Sequence, residues 1–103
     1  MQKAVIDLAR LHGYRVVHFP KAQGGRDGRW MTAVAGDAKG WPDLTCVSEK
    51  RIVFLEIKSQ RGALSPEQKE WASILQCLEL SRLATYMVVR PKDYPDKVQE
   101  VLK

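Results

Sequence analysis

Residues 43–58 read Asp-Leu-Thr-Cys-Val-Ser-Glu-Lys-Arg-Ile-Val-Phe-Leu-Glu-Ile-Lys, which is the pattern of a β-hairpin. Two runs rich in apolar residues flank the polar dipeptide Glu49-Lys50, a pattern that predicts two antiparallel strands joined by a tight turn. A turn centred on this dipeptide places Asp43 opposite Glu56, because each lies six residues from the turn. Facing residues in such a pair have Cβ atoms only about 4.5–5.5 Å apart. The hairpin therefore predicts a close pair of carboxylates.

The residues around this pair indicate a chemistry. Two facing carboxylates repel each other unless they share a cation or a proton. Oxygen ligands of this kind suit Mg²⁺, which can activate a bound water and stabilise charge that develops on a phosphate. Lys58 lies two residues beyond Glu56, so it points to the same strand face and can orient or help deprotonate that water. We therefore predict phosphodiester hydrolysis at Asp43, Glu56 and Lys58.

Simpler interpretations of the same residues stay open. Asp43 can merely cap a turn, and Glu56 and Lys58 can form an ion pair. The register is also an assumption, because Glu-Lys is a poor sequence for a type I′ turn. A slip of one residue would put Glu56 on the opposite face of the sheet.

Patterns outside the hairpin complete an αβββαβα order. The first helix is predicted to bury Val5, Leu8, Ala9 and Leu11 and to end at Gly13. Strands are predicted over 14–19, 43–48, 51–58 and 84–89. Ser65-Pro66-Glu67-Gln68 combines an N-cap, a first-turn proline and a capping box. It predicts a helix that runs to about Leu80, with an inner face of Trp71, Ile74, Leu75 and Leu78. Asp93 is predicted to cap a last short helix that carries Val98, Val101 and Leu102.

This order predicts a single α/β domain over residues 1–103, in which helices flank both faces of a mixed sheet. Apolar residues make up 45% of the chain and charged residues 28%, as in ordinary globular proteins. No apolar run reaches the roughly 20 residues that span a bilayer, and the N-terminus lacks the features of a secretory signal. We expect a cytoplasmic protein without a membrane partner, in which Cys46 and Cys77 are buried and reduced.

Seventeen basic and twelve acidic residues give a net charge of +5, which favours a polyanionic partner. The segment 21–40 is rich in glycine and is predicted to be a long loop. It contains Lys21, Arg26, Arg29 and Lys39, which are candidates for contacts with the DNA backbone, although a solvated loop is nearly as good an interpretation of each. Trp30 and Trp41 could stack on an unpaired base, and Trp41 could equally be a packing residue or a dimer contact.

Three segments together resemble one nuclease family. Gly40-Trp41-Pro42-Asp43-Leu44, Phe54-Leu55-Glu56-Ile57-Lys58 and Gly62-Ala63-Leu64-Ser65-Pro66-Glu67-Gln68 resemble, in residues and spacing, the virus-type replication–repair nuclease (VRR-NUC) group of the PD-(D/E)XK superfamily. The resemblance extends more weakly over nearly the whole chain. It implies a restriction-endonuclease-like αβββαβ core and an Mg²⁺- or Mn²⁺-dependent endonuclease.

The resemblance also implies roles for residues. Asp43, Glu56 and the Ile57 carbonyl would bind the metal ion, Lys58 would position the attacking water, and Gln68 would lie beside the site. For Gln68 the capping box is an equally good interpretation, and both roles can hold. Small members of the group resemble homodimeric enzymes that resolve four-way DNA junctions. Family members commonly carry an acidic residue in the first helix, where this chain offers only Gln2 and Asp7. His18 could approach the site from the first strand, but a structural role is the more common one.

Two other functional classes compete with the nuclease. A catalytically silent DNA-binding or assembly module could use the same basic surface, and an unrelated α/β domain could carry the motif by chance. The intact set of Asp43, Glu56 and Lys58 favours the nuclease, because a silent module has no need for facing carboxylates.

Overall fold

The computed structural model describes residues 1–19 and 36–103. These residues form three α-helices and four strands, with 3₁₀ turns over Leu78–Ser81 and Pro91–Asp93. In chain order the elements are α1 (Gln2–Leu11), β1 (Arg15–His18), β2 (Leu44–Val47), β3 (Ile52–Ile57), α2 (Pro66–Cys77), β4 (Ala84–Val89) and α3 (Asp96–Leu102). The predicted αβββαβα order is thus confirmed. Within the described ranges, no helix is long and apolar enough to cross a membrane.

The four strands form one mixed sheet in the order β1-β2-β3-β4. The pairs β1–β2 and β2–β3 are antiparallel, whereas β3 and β4 are parallel. Antiparallel neighbours can be joined by a tight turn, but a parallel pair needs a crossover, and α2 supplies it. The carboxyl ends of β3 and β4 therefore lie side by side at one end of the sheet.

The hairpin between β2 and β3 has the predicted register. Leu44 faces Leu55, as a turn centred on Glu49-Lys50 requires. The turn is not of type I′, because Arg82 is the only non-glycine residue of the described chain with a positive φ. Instead, the Ser48 hydroxyl accepts hydrogen bonds from the backbone N–H groups of Lys50 and Arg51, at 3.2 and 3.3 Å. The serine side chain thus stabilises a dipeptide that is poorly suited to the tightest hairpin turn.

Helices cover both faces of the sheet, as predicted. On one face, α1 and α3 pack against β2, β3 and β4 through a core that includes Val5, Ala9, Leu44, Cys46, Val53, Leu55, Val89, Val98 and Leu102. On the other face, α2 packs against β3 and β4 through Phe54, Ala72, Leu75, Ala84 and Tyr86. Strand β1 lies at the sheet edge, and Val17 and the following Phe19 are exposed.

The start of α2 is confirmed, but its inner face was predicted wrongly. The Ser65 hydroxyl accepts from the Gln68 backbone N–H, and the Gln68 side chain accepts from the Ser65 backbone N–H. The residues that α2 buries are Gln68, Ala72 and Leu75. Ile74 and Leu78 are 55% and 49% exposed. The helix is therefore rotated away from its most apolar stripe, because a glutamine occupies an inward position.

Three smaller predictions also need correction. Leu11 is exposed, since α1 buries only Val5 and Ala9 fully. Both cysteines are free thiols, but only Cys46 is buried, and Cys77 is exposed near the end of α2. Asp93 does not cap the last helix: its carboxylate accepts a hydrogen bond from the Arg90 backbone N–H at 2.9 Å within a 3₁₀ turn.

Candidate active site

The candidate site begins where the β2–β3 ladder stops. The backbone N–H of Ser48 bonds to the Arg51 carbonyl, and hydrogen-bonded pairs then alternate along the hairpin. This alternation makes Pro42 and Ile57 the next hydrogen-bonded pair after Leu44 and Leu55. A proline has no N–H to donate to the Ile57 carbonyl. The Ile57 carbonyl is thus left without a ladder donor, and the Ile57 N–H donates to Asp43 Oδ2, at 2.8 Å.

Asp43 therefore lies where the backbone hydrogen bonds between β2 and β3 end and a hydrogen bond from the β3 backbone to a side chain follows. Its side chain is 4% exposed, although it carries a carboxylate at the start of a strand. The hydrogen bond from Ile57 fixes this carboxylate against β3, one residue from Glu56. This is more than the turn-capping role that the sequence left open, because the bond joins two strands.

Glu56 is the second carboxylate and is 1% exposed in the middle of the domain. Gln68 Nε2 donates to Glu56 Oε2 at 3.1 Å, while Gln68 Oε1 accepts from the Ser65 N–H at 2.8 Å. One amide thus serves the capping box and the carboxylate together. Burial of a charged group is costly unless it is hydrogen-bonded or paired, so this contact contributes to holding Glu56 in the sheet.

Tyr86 is a further residue near the two carboxylates, and it was not predicted from the sequence. It pairs with Phe54 across β3 and β4, and strand alternation puts it on the same face as Glu56. Burial, together with the nearby carboxylates of Glu56 and Asp43, raises the pKa of Tyr86 to about 12. Both carboxylates thus act on one phenol, which stays neutral at physiological pH. The alternation within β4 was visible in the sequence, but its register against β3 was not.

Lys58 follows β3 directly and is half-buried. Its backbone N–H donates to the Val89 carbonyl at 2.9 Å, so the strand pairing with β4 continues one residue further. The ion pairs found within 1–19 and 36–103 do not include Lys58, so an ion pair with Glu56 is not formed there. Strand alternation puts the Lys58 side chain on the same face of the sheet as that of Glu56.

The segment before Asp43 is packed tightly onto α2. Gly40 has a φ of +86°, and a Cβ placed there would lie 2.5 Å from the Glu67 carbonyl carbon. Trp41 contacts the rings of Trp71 and Phe54 edge-on, at centroid distances of 4.8 and 5.4 Å. Packing is thus an observed role of Trp41, and base stacking stays a prediction. Trp71, expected in the core, is half-buried and donates from Nε1 to the carbonyls of Asp37 and Lys39.

The first helix does not bring an acid to the site. Asp7 is exposed and forms an ion pair with Lys3 at 3.0 Å. Gln2 Nε2 lies 2.6 Å from His18 Nε2, so Gln2 contacts the histidine that was considered as a further site residue. His18 pairs with Leu44, on the sheet face that α1 covers. Alternation puts Glu56 on the opposite face, so His18 and Glu56 are not brought together by the strands.

Three of the residues predicted to contact DNA, Lys21, Arg26 and Arg29, lie outside the described residues, as does Trp30. Lys39 is described and is exposed on the surface beside α2. Its ammonium group lies 3.6 Å from Glu67 Oε2. An exposed pair of this kind is weak, so it leaves the lysine able to exchange partners.

The donor set at the site fits a hard divalent cation. Asp43 and Glu56 supply carboxylate oxygens, and the Ile57 carbonyl faces a proline that cannot donate to it. Hydrogen bonds from Ile57 and Gln68 orient the two carboxylates, as groups around metal ligands commonly do. Within the part of the chain that the structure describes, no group of three or more His, Cys, Asp or Glu side chains could hold a metal. Water and phosphate oxygens would have to complete the coordination, which is usual for Mg²⁺.

Comparison of the chain with protein-family models, curated proteins and solved structures finds no match. The family resemblance therefore stays a prediction from the motifs.

Proposed function

We propose that this chain is an Mg²⁺- or Mn²⁺-dependent deoxyribonuclease of the restriction-endonuclease-like fold, with a site built from Asp43, Glu56 and Lys58. One observation carries the proposal. Two buried carboxylates face each other, and a hydrogen bond orients each of them. The Ile57 N–H donates to Asp43, and Gln68 Nε2 donates to Glu56; neither bond belongs to the regular pairing of the sheet. Buried charges are costly, and clusters of oriented titratable groups are typical of functional sites.

Each residue would have a distinct role. Asp43, Glu56 and the Ile57 carbonyl would hold the ion, which, when bound, supplies an activated water and stabilises charge on the phosphate. Gln68 would keep the Glu56 carboxylate in one orientation, and its own position is fixed by the capping box. Lys58 would orient the attacking water or stabilise negative charge on the scissile phosphate. Tyr86 would remain a neutral hydrogen-bond donor at the floor of the site.

The substrate and assembly are further parts of the proposal. We propose that the chain cleaves branched DNA such as four-way junctions and acts in the cytoplasm as a homodimer, because two symmetric sites match a symmetric junction. The rival function is a silent DNA-binding or assembly module. The feature that favours cleavage over binding alone is the pair of oriented carboxylates, since negative groups at a DNA surface would weaken binding unless they hold a cation.

The decisive experiment incubates the purified chain with labelled four-way junction, flap and linear duplex DNA. Mg²⁺, Mn²⁺ or EDTA is added in parallel, and strand cleavage is followed on denaturing gels. We expect metal-dependent cleavage that is lost in Asp43→Asn and reduced at least about a hundredfold in Lys58→Ala. Matched controls are Asp96→Asn in α3 and Lys50→Ala at the hairpin turn, both exposed and outside the proposed site.

The outcomes separate the two functions. Cleavage that persists in Asp43→Asn, or that falls equally in Asp96→Asn, would remove the site assignment. Binding of DNA without cleavage under every metal would favour the silent module. Isothermal titration of Mn²⁺ into the native chain and into Asp43→Asn gives a readout that does not depend on activity: only the native chain should bind the ion.

A further inference from the structure

A cluster of basic residues lies next to the candidate site, and only Lys58 among them has a role in the site. We call Lys58, Arg61, Arg90 and Lys92 the basic rim. These residues come from two short segments, 58–62 after β3 and 90–92 after β4. Since the two strands are parallel and Ile57 pairs with Val89, both segments leave the sheet at the same end. Ligands of open α/β sheets bind outside the carboxyl ends of parallel strands.

Hydrogen bonds join the two segments of the basic rim into one unit. Arg90 Nη1 donates to the carbonyls of Ser59 at 2.7 Å and Gly62 at 2.8 Å. The backbone N–H of Lys92 donates to Gln60 Oε1 at 3.3 Å. A guanidinium group is suited to this task, because its planar donors stay charged and can serve several acceptors. The turn after Lys58 is therefore held in a defined shape.

Among the described residues, the exposed members of the basic rim form no ion pair. Arg61 and Lys92 are exposed, and segments 58–62 and 90–92 contain no Asp or Glu. The ion pairs found among the described residues include neither of them, in contrast to Lys39, which pairs with Glu67. Asp93, the next acid, is buried and is bonded to the Arg90 N–H. The rim thus presents positive charge at fixed positions beside two carboxylates.

We propose that the basic rim is a surface that binds the phosphodiester backbone of DNA, with Arg61 and Lys92 as the phosphate contacts and Arg90 as the positioning residue that holds the turn. This inference rests on the proposed function and deepens it, because it specifies which side of the site the DNA crosses. A polyanion fits the rim by charge, and the hydrogen-bonded backbone of the turn limits the backbone entropy lost on binding.

The test measures binding in EDTA, where metal-dependent cleavage cannot occur. Fluorescence anisotropy of labelled four-way junction and duplex DNA is recorded for the native chain and for the double variant Arg61→Ala/Lys92→Ala. The control double variant Lys50→Ala/Lys103→Ala removes the same charge from exposed positions elsewhere. We expect the rim variant to bind roughly tenfold more weakly at about 0.1 M salt. Its slope of log affinity against log salt should be smaller by about 1.8, since two phosphate contacts are lost.

Further variants separate contact from folding. Arg61→Lys/Lys92→Arg keeps the charges and should keep the salt slope of the native chain. Equal weakening in the rim variant and the charge-matched control would overturn the proposal, because binding would then follow net charge alone. If the native chain binds as expected but never cleaves, the rim stands and the nuclease proposal fails. If the native chain cleaves but the rim variant binds DNA as tightly as the native chain, the nuclease proposal stands and the proposal for the rim fails.

Discussion

Replacing Gly40 by alanine tests how the segment before Asp43 is held against the start of α2. The glycine has a φ of +86°, and an added Cβ would lie 2.5 Å from the carbonyl carbon of Glu67 and 2.7 Å from its oxygen and Cβ. Two of these three atoms belong to the backbone of the first turn of α2, so a side-chain rotation cannot relieve the contact. Either the helix start or the segment leading to Asp43 has to move.

The cost of this substitution has two parts. Alanine in the left-handed region costs about 1 kcal/mol relative to glycine. Relief of the overpacked contact costs about 1–3 kcal/mol more, because close-packed interiors resist added methyl groups. We therefore expect Gly40→Ala to lower the free energy of unfolding by about 2–4 kcal/mol. For a domain of this size, that corresponds to a melting temperature lower by roughly 10–25 °C.

Gly13→Ala is the matched control, because Gly13 has a φ of +90° but no atom within 4 Å of an added Cβ. It should cost only the conformational part, about 1 kcal/mol. Urea denaturation followed by tryptophan fluorescence and circular dichroism gives both values. Loss of stability in Gly40→Ala that equals the loss in Gly13→Ala within about 0.5 kcal/mol would refute the close-contact argument. At temperatures where both variants are folded, only Gly40→Ala should lose cleavage, since only it displaces Asp43.

Three further predictions concern the helix cap and the cysteines. Ser65→Ala should lower stability by about 1 kcal/mol in thermal melts, whereas Gln68→Ala should also lower cleavage, because it removes the contact with Glu56. A thiol reagent should modify only Cys77 in the folded protein and both cysteines in urea; rapid modification of both without urea would contradict the burial of Cys46. Burial raises the pKa of Cys46 from 9.0 to about 11, so the folded state holds its proton more tightly than the unfolded chain. Stability should therefore fall by up to about 2–3 kcal/mol as pH rises from 9 towards 11, and this fall should be smaller in Cys46→Ala.

The hairpin and the start of α2 could be predicted from the sequence because both depend on short-range information. The register of β2 against β3 follows once the turn is centred on Glu49-Lys50, and Leu44 indeed faces Leu55. The capping box likewise involves residues three apart. In each case the determining residues are neighbours in the chain, so tertiary packing has little freedom to change the result.

Features that depend on β4 could not be predicted in this way. The chain returns to β4 through α2, and nothing local sets which residue of β4 faces which residue of β3. Tyr86 lies beside Glu56 and Arg90 beside Lys58 only because the parallel register pairs Ile57 with Val89. The face of α2 was misjudged for a related reason. Periodicity favours the apolar residues Ile74 and Leu78, but the helix turns Gln68 inward to contact Glu56.

The candidate site lies where this sequence departs from the rules that build the rest of the fold. Pro42 occupies a ladder position that requires an N–H, Glu56 places a carboxylate in a core strand, and Gln68 places an amide on the buried face of a helix. Two of these departures satisfy each other, because Gln68 Nε2 donates to the buried Glu56 carboxylate. Pro42 leaves the Ile57 carbonyl without a ladder donor, while the Ile57 N–H donates to the Asp43 carboxylate. Exceptions that compensate each other within one small region are expected at functional sites. They identify this end of the sheet as the place to test for chemistry, whatever the substrate proves to be.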